Sequence, residues 1–100
     1  MNDHFRVMIP DSVFLELDAI FGFVSNDSPQ NAESLLARLI ADLHGLDFMP
    51  GRCPKAETKR FRGRAYRKLV SRPYLIYFRI DDVAKVVHVL TIRHGARKPL

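Results

Sequence analysis

Tyr74-Leu75-Ile76-Tyr77-Phe78-Arg79-Ile80-Asp81-Asp82-Val83-Ala84-Lys85-Val86-Val87-His88-Val89-Leu90-Thr91-Ile92 holds two β-rich runs around one short polar break. Aromatic and β-branched side chains suit a pleated, half-buried surface, so each run reads as a strand. Asp81-Asp82 is a tight-turn candidate between residues 74–80 and 83–92. A turn that short forces an antiparallel pair, because parallel strands need a long crossover. The near-continuous apolarity of both runs predicts central strands, covered on one face by other elements. Just upstream, residues 64–70 alternate loosely and Pro73 marks another turn, which adds a third antiparallel strand.

Working towards the N-terminus, the period changes. Val13, Phe14, Leu17, Ile20, Phe21 and Val24 recur at helical spacing, and Glu16 and Asp18 fall off that stripe. Asp11 and Ser12 offer side-chain oxygens to the first free N–H groups. The helix ends near Ser25-Asn26-Asp27. Ser28 is a cap for a second helix and Pro29 suits its first position, where no N–H is missed. Its stripe is Ala32, Leu35, Leu36, Leu39, Ile40, Leu43 and Leu46, with Glu33, Arg38 and Asp42 elsewhere. Both stripes are read as core. Ahead of the helices, Phe5-Arg6-Val7-Met8-Ile9 is a short apolar strand stopped by Pro10. The order is β-α-α-β-β-β, an α+β fold with a helical hairpin packed on a mainly antiparallel sheet. One domain is expected over residues 1–100: the hairpin about 11–48, a basic loop about 49–63 and a three-stranded part about 64–94.

Charge follows the same division. Residues 1–50 carry two basic and eight acidic side chains, net −6; residues 51–100 carry fourteen basic and three acidic ones, net +11. Their sum is the overall +5. Such segregation predicts a surface that attracts polyanions or an acidic protein segment. The hydrophobic fraction of 47% is enough for a core without a staple, and a single cysteine, Cys53, excludes an internal disulfide. With no secretory pattern at the N-terminus and no long apolar run, the expected location is the cytoplasm, with no membrane partner. His4, His44, Cys53 and His94 lack ligand spacing, so no metal site is read, and no cofactor is implied.

Three segments carry a family likeness. They are the hairpin turn Asn26-Asp27-Ser28-Pro29-Gln30-Asn31-Ala32, the strand Arg72-Pro73-Tyr74-Leu75-Ile76-Tyr77-Phe78-Arg79-Ile80, and the ending Val89-Leu90-Thr91-Ile92-Arg93-His94-Gly95-Ala96-Arg97. In this order the chain resembles the RelE/ParE superfamily of toxins from type II toxin–antitoxin modules. The His-Gly-Ala-Arg ending is most like the ParE branch. The resemblance implies a plasmid-stabilising type of toxin that inhibits DNA gyrase and replication. It also implies neutralisation by a cognate antitoxin with an acidic tail, with operator DNA contacted through the antitoxin. The alternative it leaves open is a RelE-like, ribosome-dependent endonuclease acting on messenger RNA. A third reading is a basic module of a toxin–antitoxin repressor, without toxicity.

The residues bear on that choice. Metal-free RNA cleavage needs a base, an acid and cations around the phosphorane. Cations abound, but residues 58–80 contain no carboxylate and nothing after His94 is a tyrosine or histidine. The acid/base set is incomplete, which favours binding over catalysis. If the chain is an enzyme, it is a metal-independent endoribonuclease using His94, Arg64, Arg67 and Arg79. The candidate target- or antitoxin-binding residues are Arg60, Arg62, Arg64, Arg67, Arg72, Arg79, Arg93, His94 and Arg97. Against these stand plainer roles: His94 satisfying backbone at the sheet end, His88 as a sheet-face histidine, and Tyr66, Tyr74 and Tyr77 as cross-strand packing.

Overall fold

In the computed structural model, which describes residues 4–56 and 66–96, the two β-rich runs form the centre of a four-stranded sheet. The elements are β1 (Arg6–Met8), α1 (Asp11–Ser25), α2 (Pro29–His44), β2 (Tyr66–Ser71), β3 (Tyr74–Asp81) and β4 (Val86–His94). The sheet order is β1-β4-β3-β2. β2, β3 and β4 are antiparallel neighbours, while β1 lies parallel to β4, reached through the helical hairpin. The expected α+β order and hairpin-on-sheet packing are therefore what forms. Two short 3₁₀ turns, Gly45–Asp47 and Pro50–Arg52, carry the chain out of α2, with Met49 at φ 46° between them.

The helices start and stop for local reasons. Ser28 caps α2 by accepting the Asn31 N–H at 3.2 Å, and Pro29 takes the first helical position. The cap expected of Asp11 or Ser12 does not form: Pro10 is the N-cap and gives no side-chain bond, and Asp11 already lies in the first turn. Its charge there still suits the positive end of the helix. The β3–β4 turn is longer than Asp81-Asp82. It runs through residues 82–85, with the Asp81 Oδ1 accepting the Ala84 N–H at 3.0 Å and Lys85 at φ 57°. Val83 is consequently 97% exposed in the turn rather than the first residue of a strand.

The core lies between the hairpin and one sheet face. Val13 and Leu17 of α1 and Leu39 and Leu43 of α2 pack on Tyr74, Ile76 and Phe78 of β3 and Val87, Val89 and Ile92 of β4. Alternation along β4 breaks at Leu90. Tyr77 pairs with Thr91 but Phe78 with Val89, so Leu90 is the extra residue of a bulge. The bulge keeps both Val89 and Ile92 on the helix side. The helical stripes are narrower than their apolar residues suggested. Phe14 is half exposed, and Ile40 also reaches solvent.

This packing predicts a contrast within one helix. Leu39→Ala, at a fully buried position, should cost about 2–5 kcal/mol in urea unfolding. Ile40→Ala, one residue on, should cost under about 1 kcal/mol in the same assay.

Candidate binding cleft

β1 covers β4 only at Val86, Val87 and His88, so beyond that point β4 has no strand on that side. α1 closes part of the gap. Glu16 accepts the Ile92 N–H at 3.0 Å with one carboxylate oxygen and the Thr91 hydroxyl with the other. The carboxylate stands in for a missing strand carbonyl at the bulge. Glu16 lies off the apolar stripe, and the bulge that gives it a task is invisible to periodicity.

Two adjoining clefts open beside this contact, of about 660 and 450 Å³. Phe23, Tyr74 and His94 line both. The first runs between α1 and the end of β4, over Ala19, Ile20 and Ile92. The second continues to α2 and the β2–β3 turn, past Leu35, Arg38 and Arg72. Phe23 is 74% exposed, so its ring is an apolar wall open to solvent. The rim is cationic: Arg38, Arg72 and Arg93. Arg38 donates from Nε to Ser71 Oγ at 3.3 Å and from Nη2 to the Arg72 carbonyl, which fixes α2 to the turn. Sequence reasoning placed Arg38 merely off the core stripe; its partners lie more than thirty residues away.

His94 and Gly95 have mainly structural tasks. The His94 ring meets Tyr74 edge-on at 5.3 Å, and its Nδ1 accepts the Ala96 N–H at 3.0 Å. Gly95 donates its N–H to the Pro73 carbonyl at 2.7 Å, and a Cβ at Gly95 would sit only 3.2 Å from that oxygen. The His-Gly pair thus ties the end of β4 to the β2–β3 turn.

The described candidate arginines do not converge on one patch. Arg72 and Arg93 reach the clefts with His94. Arg67 is engaged elsewhere, donating to the carbonyls of Cys53 at 2.6 Å and Gly51 at 3.3 Å. Arg79 pairs in register with Tyr66 and His88 on the sheet face away from the helices. Arg60, Arg62, Arg64 and Arg97 lie outside the described residues. Tyr66, Tyr74 and Tyr77 are all buried, as packing residues should be. Among the described residues no group of histidines, cysteines or acids is placed to hold a metal ion, and no helix is long and apolar enough to cross a membrane.

A model of the ParE toxin of the type II toxin–antitoxin system parDE matches residues 7–99. The chain belongs to the ParE toxin family. The match takes in both helices, all but the first residue of the sheet, and every cleft residue named above. A solved structure described as a chromosomal ParDE toxin–antitoxin system from P. aeruginosa has the same fold, with a TM-score of 0.70 at 18% identity. The alignment covers 93% of this chain and 98% of that one. No curated protein matches by sequence.

Two side chains test this geometry. Glu16→Ala leaves the Ile92 N–H without its acceptor and should cost about 1–3 kcal/mol in urea unfolding, whereas Glu16→Gln, which keeps an acceptor, should cost less. Cys53 is buried, and burial pushes its thiol above the ordinary range, with Arg52 and Arg67 pulling more weakly the other way. Iodoacetamide should therefore label the native chain far more slowly than the unfolded chain at neutral pH. The folded state holds this proton more tightly, so its contribution is present below the unfolded thiol pKa and is lost as pH rises through the folded one.

Proposed function

We propose that this ParE-family chain is the toxin of a two-protein module, that it inhibits DNA gyrase and so replication, and that a cognate antitoxin with an acidic, apolar tail silences it. The observation that carries the binding half is the cleft: an apolar floor with an exposed Phe23, edged by Arg38, Arg72 and Arg93. An amphipathic segment that orders on binding suits such a surface. Its apolar residues cover the floor and its carboxylates pair with the arginines.

The titratable side chains of the cleft support binding rather than cleavage. Both Glu16 oxygens are engaged by β4, and His94 Nδ1 is engaged by Ala96. A general base must be free to take the proton it removes. Family membership supports gyrase as the target. In this reading the toxin acts by occupying its target. The toxin–antitoxin complex reaches operator DNA through the antitoxin.

Expression of the chain alone, set against co-expression with its cognate antitoxin, expected to be a small protein with an acidic tail, tests this. Growth arrest, an induced DNA-damage response and inhibited supercoiling by purified gyrase are expected, all relieved by the antitoxin. Rapid cleavage of ribosome-bound messages with gyrase unaffected would refute the reading.

A further inference from the structure

The sheet face turned away from the helices carries a second cationic surface. Leu69, Ile76, Phe78, Val87 and Val7 point into the core, so their strand neighbours point outward. That places Arg6 on β1, His88 on β4, Arg79 on β3 and Lys68 on β2 on the outer face. Tyr66, Arg79 and His88 stand directly opposite one another across three strands. The side chains of Arg79 and His88 make no hydrogen bond or ion pair with the described residues. Of the two described carboxylates at this end, Asp81 accepts the Ala84 N–H and Asp82 lies exposed in the turn beyond it.

We propose that this outer face binds the phosphate backbone of duplex DNA. Its cations run from β1 to β2, three inter-strand steps or about 14 Å, close to the span across a DNA major groove. A single strand would need exposed aromatic rings for base stacking. Tyr66 and Tyr77, the aromatics of this face, are only 8% and 4% exposed. The face offers charge without exposed stacking platforms, which is the character of backbone contact. Arg6, Lys68, Arg79 and His88 do not line the cleft, so an antitoxin seated there leaves them open. The proposal does not rest on gyrase as the target.

Fluorescence anisotropy of the purified full chain with a short labelled duplex, across a salt series, tests this. Arg79→Ala should weaken binding several-fold and flatten the log–log salt slope by about 1, and the pair Arg6→Ala with Lys68→Ala by about 2. Arg79→Lys should keep most of the slope, which guards against a folding artefact. Arg72→Ala removes the same charge from the cleft and should leave duplex affinity nearly unchanged. Equal losses from Arg72→Ala and Arg79→Ala would reduce the effect to net charge and overturn the proposal. So would tighter binding to single-stranded RNA of the same length, or no duplex binding at low salt.

Discussion

Where β4 runs past the end of β1, its backbone has no strand on one side, and a carboxylate from α1 takes that place. The Glu16 contacts to Thr91 and Ile92 decide where the first helix sits along the sheet. Because α1 is held there, Ala19, Ile20 and Phe23 on its next turns overhang the end of β4. The cleft is thus a consequence of an edge that is only partly covered. An uncovered strand edge is a ready template for another chain, and proteins commonly shield such edges with charge, bulges or covering elements. This fold uses all three at one place: a bulge at Leu90, a covering helix, and a charged side chain set into the gap.

The far end of the cleft is held by a different bond set. Arg38 joins α2 to Ser71 and Arg72, and Gly95 joins the end of β4 to Pro73. The β2–β3 turn therefore gathers a helix and a strand terminus around itself. Tyr74 and His94 then meet edge-on at the junction of the two clefts. What looks like a functional His-Gly motif in the chain is in large part a tie between sheet end and turn.

Much of this architecture was readable from side-chain period. The two long β-rich runs gave β3 and β4, and the two helical stripes with Ser28-Pro29 between them gave the hairpin. The misreadings have physical causes. Alternation assigns faces only until a bulge resets it, so the positions around Leu90 and Thr91 could not be placed. An apolar stripe does not state its own width, so Phe14 and Ile40 share the core pattern though both reach solvent. Val83 has the β-branched character of the nearby Val86 and Val87, yet the Asp81 side chain closes a turn that expels it. Of the cleft residues, Arg72, Arg93 and His94 are legible as candidates in the sequence, while Glu16, Phe23 and Arg38 are not. Each of the three draws its importance from contacts or openings made by distant elements, and no local pattern encodes those.

The segregated charge of the chain resolves into two surfaces rather than one. Arg72 and Arg93 join Arg38, from the acidic half, around an apolar cleft, while Arg79, Lys68, His88 and Arg6 occupy the opposite sheet face. A partner with both acidic and apolar residues matches the first, and a bare polyanion matches the second. Cysteines introduced singly as Phe23→Cys and Arg79→Cys test this division most directly, since the buried Cys53 reacts slowly. Alkylation rates should be compared with and without the antitoxin. The account predicts strong protection at position 23 and an unchanged rate at position 79; protection at 79 with position 23 left open would contradict it.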